Sequence, residues 1–429
     1  MEKEVGLECF FTESPGVGGK LKKYPEDFRV EEEIDLFEES EGDYSIAKVW
    51  SRNWETNRLM KKFAEELNIS RGNINFCGTK DKRAITTQWI SFKCPPNKLG
   101  KLSIKDVEIE DVFTSHRSLT IGAHKRNKFE ILIRDLEVEP GEAIERANKI
   151  GKKIKEEGGF PNWFGVQRFG TLRPITHLVG KKILRGDFEG AVKKYVASPE
   201  KGEGESCYKA RKFLDDEWNP EEALKVYPEM LTFEKDILRY LNDNPGDFVS
   251  ALKTLPHNLL MMFVHAYQSY LFNRMVSLRL KRDLPINDAL LGDVVLPADS
   301  NGLPNKDTRV KVREQNLSKA SEMVRKGKAF VSAPLYGHKS EFSEGEQGEI
   351  ERKVIEEENI KREDFIIPEI SSISSTGTRR NIFAPVKDFE WKLQGEALRL
   401  TFSLNKGTYA TTLLREFMKH PPEKVNFYS

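Results

Sequence analysis

Apolar and polar positions recur with a legible period over most of this chain, and the period changes along it. Phe129, Ile131 and Ile133 alternate with Glu130, Leu132 and Arg134, the two-residue repeat of a half-buried strand. Leu398, Leu400, Phe402 and Leu404 repeat it near the end. Shorter strands are predicted at Phe28 to Glu32, Tyr44 to Trp50 and Gln88 to Phe92, with an acidic, glycine-containing turn at Glu38 to Asp43. Leu59, Met60, Phe63 and Leu67 fall at helical spacing, as do Ala143, Ile144, Ala147, Ile150 and Ile154. Gly158-Gly159 marks a hinge. Beyond it helical patterns dominate from Leu178 to Arg282, with apolar residues crowding Leu259 to Leu280. Leu296 to Arg309 is loop-rich, and the acidic run Glu344 to Glu363 reads as a solvated helical face. Ser371 to Gly377 reads as a flexible serine-rich loop ending at Arg379-Arg380, and Thr411 to Lys419 as a terminal helix.

Strand signals at both ends around a helical middle predict an α+β chain: a split domain carrying a large insertion. The expected boundaries are 1–158 for the first part of the core, 159–384 for the insertion and 385–429 for the core's return. A length of 429 residues fits two or three domains. Net charge is only +1, so a polyanion-binding face has to come from local clusters. Three stand out: Lys20, Lys22 and Lys23; Lys80, Lys82 and Arg83; and His124, Lys125, Arg126 and Lys128. The four cysteines form no CxxC pair, and the seven histidines include no HxH or HExxH, so neither a zinc site nor metal hydrolysis is indicated. Gly16-Val17-Gly18-Gly19-Lys20 lacks the spacing and the Ser or Thr of a phosphate loop and reads as a flexible turn. No basic leader precedes an apolar run, and no apolar stretch is long enough to span a bilayer, so a cytoplasmic protein is expected.

The most informative segment is Gly78-Thr79-Lys80-Asp81-Lys82-Arg83-Ala84-Ile85-Thr86-Thr87-Gln88. It sets one carboxylate between a lysine and a Lys-Arg pair, cations that favour its ionised form and suit neighbouring phosphates. An ionised carboxylate among such cations is what nucleophilic or base chemistry on a nucleotide requires. A polar turn with solvated charges is the simpler reading of composition alone.

The segment resembles the signature of the TruD family of tRNA pseudouridine synthases. Other family-like blocks follow in order: Lys22 to Glu32 ahead of it, then Arg126-Asn127-Lys128-Phe129. Further along come Pro161 to Gly170, Ala266 to Asn273 and Gly407 to Glu416. The resemblance implies a mixed-sheet pseudouridine synthase core with permuted motif order, interrupted by an α/β insertion (TRUD) domain that binds RNA. It implies an isomerase acting on tRNA, with uridine 13 of the D-arm as its principal target and other RNAs as further substrates, through an Asp nucleophile. No metal or other cofactor, no membrane and no obligatory protein partner are implied.

Carried over residue by residue, the reacting carboxylate is Asp81, with Lys22 as its basic companion. Phe129 would stack on the target base, and Asn127 would hold Asp81 or the nucleotide. Phe28 would line the uracil pocket, and Lys80 and Arg83 would meet the substrate. Glu32 is placed to orient Lys22 or Arg83, and Arg415-Glu416 to form a structural ion pair. Arg168, Arg379 and Arg380 are candidate phosphate contacts in the insertion. Each has a plainer reading: Phe28 and Phe129 as core residues, Lys22 as a surface lysine, Glu32 as part of a solvated acidic run. Whether the carboxylate attacks sugar or base, or removes a sugar proton, stays open. The competing function is a non-catalytic RNA-binding or RNA-chaperone protein of the same fold.

Overall fold

A computed structural model describes residues 2–34 and 40–420. The turn expected at Glu38 to Asp43 falls partly outside the described residues. Two compact units emerge, one formed by Thr12–Phe160 with Ala384–His420, the other by residues 2–11 with Pro161–Phe383. The chain leaves the first unit after Phe160 and re-enters it at Ala384.

Among the described residues seven strands precede residue 162: β1 (Phe28–Glu33), β2 (Tyr44–Arg52), β3 (Ile74–Phe76), β4 (Ile85–Phe92), β5 (Val107–Ser115), β6 (Arg126–Ile133) and β7 (Gly159–Pro161). Four lie in the intervening segment: β8 (Val294–Pro297), β9 (Val310–Lys311), β10 (Ala329–Leu335) and β11 (Thr378–Asn381). Then come β12 (Phe383–Gln394) and β13 (Ala397–Asn405). The first unit is built on a nine-stranded sheet ordered β5-β2-β4-β1-β6-β13-β12-β7, with β3 beside β4. The sheet is mixed: β1 runs parallel to β4 and antiparallel to β6. Its centre is therefore assembled from both ends of the chain, since β13 pairs with β6 over eight residues, from Leu398↔Ile133 to Asn405↔Arg126.

Helices cover this sheet because their apolar stripes have nowhere else to go. Helix Thr56–Leu67 buries Leu59, Met60, Phe63 and Leu67 against Ala47, Val49, Ile90 and Phe92. Burial of each such side chain stabilises by about 1.5–3 kcal/mol. The Glu55 carboxylate caps the helix by accepting from the Asn57 and Arg58 amides. Helix Pro140–Glu157 approaches so closely that a Cβ at Gly151 would lie 2.6 Å from the Trp391 ring.

The structure corrects several expectations. Gly16 to Lys20 is a packed crossing rather than a flexible turn. The Val17 amide donates to the Phe417 carbonyl at 2.7 Å, and Gly19, at φ +100°, leaves only 2.6 Å between a hypothetical Cβ and Ile133 Cγ2. The serine-rich stretch is partly a 3₁₀ segment (Pro368–Ile373), and Arg379 and Arg380 lie on β11 rather than on a loop. Helix Gly345–Glu357 is not merely a solvated acidic face. Glu351 is fully buried against Arg379, and Glu358, just past its end, holds Lys181, Arg274 and the hydroxyls of Tyr267 and Tyr270. In the second unit the 25-residue helix His257–Lys281 is buried along most of its length, beside the four-stranded sheet β11-β10-β8-β9.

Candidate active site

The site begins with a strained lysine. Lys22 precedes β1 in the left-handed region, at φ 53°, a conformation that costs a residue with a side chain roughly 1–2 kcal/mol. Its side chain is only 9% exposed, and its ammonium lies 4.4 Å from the Phe28 ring centroid. The same ammonium reaches Asp81 Oδ1 at 3.0 Å. Asp81 remains 51% exposed, and among the described residues no other group pairs with it. A buried cation held by strained backbone and aimed at a half-open carboxylate is the arrangement expected of a functional site rather than a structural one.

Asp81 stands on the connection between β3 and β4, and that loop is tied down on three sides. The Lys80 amide donates to Thr56 Oγ1 at 2.8 Å. The Lys80 ammonium turns inward to the Glu32 carboxylate, both side chains nearly sealed from solvent. On the other flank Arg83 Nη2 donates to the Lys23 carbonyl at 2.7 Å, joining the loop to the segment that carries Lys22.

These contacts correct two expected roles. Lys80 cannot meet a phosphate while its ammonium is paired in the interior. Glu32 serves Lys80 rather than Lys22 or Arg83, and it is a buried group rather than part of a solvated run. Thr86 is likewise turned inward, its hydroxyl 3.0 Å from that of Ser51.

β6 brings the next candidates alongside. Register sets Asn127 opposite Glu32 and Phe129 opposite Val30, so all four share one face with Phe28. Phe28 is a core ring beneath the Lys22 ammonium, not an open pocket wall. Phe129 is also buried, stacked on Phe402 at 5.2 Å and edge-on to Phe28 at 6.2 Å. A base could reach only its face away from Phe402. Asn127 Oδ1 and Gln88 Oε1 are buried and unpaired, as is His124 Nδ1. Unsatisfied polar atoms are scarce in native interiors, and these two amide oxygens and one imidazole nitrogen are free to take a hydrogen bond.

His124 and Cys77 carry no signal of their own in the sequence, where His124 reads only as one more charge in a basic run. Burial holds its imidazole below the ordinary range, so it is a neutral group packed beside Gly78 and Lys80. Burial, with Glu32 close by, pushes the Cys77 thiol up to about 12.

The arginines of the second unit divide. Arg379 is buried and fully engaged by Ser332, Ser343, Glu341 and Glu351, so it is a core cation, not a phosphate contact. Arg380 and Arg168 are half-buried around Phe164, at 4.2 and 6.0 Å from its ring centroid. Arg380 also bonds Asn162 Oδ1 at 2.7 Å, and Arg168 bonds Ser269 at 3.3 Å. Arg415 and Glu416 do form a buried pair, at 3.6 Å.

Comparison with known proteins agrees along the whole chain. The family model for tRNA pseudouridine synthase D (TruD) matches residues 4–417. The protein named Probable tRNA pseudouridine synthase D in Methanococcoides burtonii is 41% identical over 434 residues, spanning 99% of each chain. Its namesake in Thermococcus sibiricus is 37% identical over 96% of this chain and 97% of its own. A crystal structure assigned to tRNA pseudouridine synthase D from Methanosarcina mazei aligns with a TM-score of 0.87 at 39% identity, covering 98% of both chains.

Proposed function

Because the chain belongs to the TruD family of tRNA pseudouridine synthases, we propose that it isomerises uridine 13 in the D-arm of tRNA, with Asp81 as the reacting carboxylate and no cofactor. The observation that carries this reading is the Lys22–Asp81 pair, with a buried ammonium 3.0 Å from a carboxylate that is half open. Lys22 fixes one oxygen and leaves the group accessible. In the reaction the C1′–N1 bond breaks and a C1′–C5 bond forms, while C5 loses a proton and N1 gains one. Nothing is oxidised and nothing is hydrolysed.

Asp81 acts as a nucleophile in the simplest route, and as the base toward a sugar proton in the alternative. Asn127 and Gln88 offer the buried polar atoms that a uracil edge would satisfy. Lys80, through Glu32, and Arg83, through the Lys23 carbonyl, position the Asp81 loop. RNA affinity comes largely from the insertion, residues 159–384, with Arg168 and Arg380 as phosphate contacts.

The test is to incubate the purified protein with unmodified tRNA, folded with magnesium and then treated with EDTA, and to map pseudouridine by mass spectrometry. Conversion at position 13 is expected. Conversion only elsewhere would overturn the target, and conversion that requires added metal would overturn the cofactor-free chemistry.

A further inference from the structure

Ile121 is 82% exposed, the most open of the large apolar side chains in the described residues. A single exposed isoleucine is ordinarily unremarked surface. Its setting makes this one different. Thr120 to Ala123 form a β-turn closed by the Ala123 amide on the Thr120 carbonyl at 3.0 Å, with Gly122 at φ +82° in its third position. That is the geometry of a type II turn, which needs glycine there and puts Ile121 at the apex.

The turn is held from three sides. The Gly122 amide donates to the Cys77 carbonyl at 2.7 Å, and the Lys406 ammonium donates to the Gly122 carbonyl at 2.5 Å. Just before it, Leu119 is buried and its amide donates to Ser91 Oγ at 3.1 Å. Cys77 opens the loop that carries Asp81, four residues and at most about 14 Å of chain away. Exposed cations lie on the segments that hold this turn: Lys82 and Arg83 on the Asp81 loop, and Lys406, whose ammonium bonds the turn itself.

We propose that Ile121 is the wedge that enters the RNA stack as the target uridine is extruded toward Asp81. This rests on the pseudouridine synthase reading above. A uridine in folded RNA has to leave its stack before Asp81 can reach it, and the gap it vacates is apolar above and below. A β-branched aliphatic side chain on a rigid turn fills such a gap, while the flanking cations hold the phosphates on either side. A polar residue at the apex would satisfy the turn equally well and would leave the gap unfilled.

The experiment compares single-turnover rates at saturating RNA for the wild type, Ile121→Ala, Ile121→Leu and Asp81→Asn. Two substrates are used: folded tRNA, and a tRNA variant whose target uridine is a single-nucleotide bulge. The wedge predicts that Ile121→Ala slows folded tRNA tenfold or more, while the bulged substrate stays within about twofold and Ile121→Leu recovers most of the rate. A thermal melt checks that the exposed substitution leaves the fold intact. Equal slowing on both substrates, or a change in affinity alone, overturns the wedge. If Asp81→Asn converts either RNA at more than a tenth of the wild-type rate, the underlying reading fails instead, and the two failures are read from different variants.

Discussion

Two lysine–carboxylate pairs meet at the same loop and are built in opposite ways. Lys80 and Glu32 are both closed off, at 7% and 0% side-chain exposure. Lys22 and Asp81 stand at 9% and 51%. In the first pair both charges have left water, so each depends on the other, and the pair fixes where the loop sits. In the second only the cation is buried. The carboxylate stays available, and the buried ammonium serves to aim it. On the proposed function, adjacent residues, Lys80 and Asp81, divide the work between holding the loop and carrying the chemistry.

The contrast breaks most visibly at Glu32. Glu32→Leu leaves the Lys80 ammonium buried without a partner and should cost about 3–5 kcal/mol of stability by denaturant unfolding. The double variant Glu32→Leu with Lys80→Met should recover most of that loss, because no lone charge remains. A double variant as unstable as the single one would mean the pair is not a closed unit. Lys22→Met should do the reverse. Asp81 can turn to water, so unfolding should change by less than about 1 kcal/mol. Turnover should fall about a hundredfold through lost aim. A large stability loss with normal turnover would make Lys22–Asp81 a second structural pair.

The second unit offers the same contrast among its arginines. Replacing both Arg168 and Arg380 with Ala should lower the slope of log affinity for tRNA against log salt, by roughly 0.9 for each phosphate that is no longer neutralised. Arg379→Lys, if folded, should leave the slope unchanged because that side chain is internal. Equal slopes for all three proteins would remove Arg168 and Arg380 from the RNA surface. The smallest effect is expected at Cys77, whose thiol is raised to about 12 in the folded protein. Raised in this way, it favours the fold below its unfolded value of about 8.5, and that contribution fades as pH climbs toward the folded value. Cys77→Ala should therefore flatten part of the stability loss between about pH 9 and 12. Native Cys77 should resist iodoacetamide at pH 8, and rapid alkylation there would contradict its burial.

The legible parts of the molecule are those with a strong period. Strands β1, β6 and β13 and the helix Thr56–Leu67 follow from apolar positions that repeat against charged ones. β5 carries the repeat only briefly, with Val107 and Ile109 alternating with Glu108 and Glu110 before Asp111 breaks it. Those charges suit a strand at the sheet's edge, where they discourage pairing with another chain. The Lys22–Asp81 partnership follows from a resemblance between blocks nearly sixty residues apart, not from local composition. What no pattern reveals is the direction of each charge. Lys80, Glu32 and Arg379 look like surface residues in the sequence, and only tertiary pairing turns them inward.

The central claim is that the open carboxylate performs the chemistry. It is tested most directly by the single-turnover rate of uridine conversion by Asp81→Asn at saturating tRNA, beside its melting curve and RNA affinity. The rate should fall at least about a thousandfold with affinity within a few-fold, and the melting temperature should drop only modestly, because the asparagine oxygen can still accept from the buried Lys22 ammonium. A folded Asp81→Asn enzyme that keeps more than a tenth of the wild-type rate would contradict the claim.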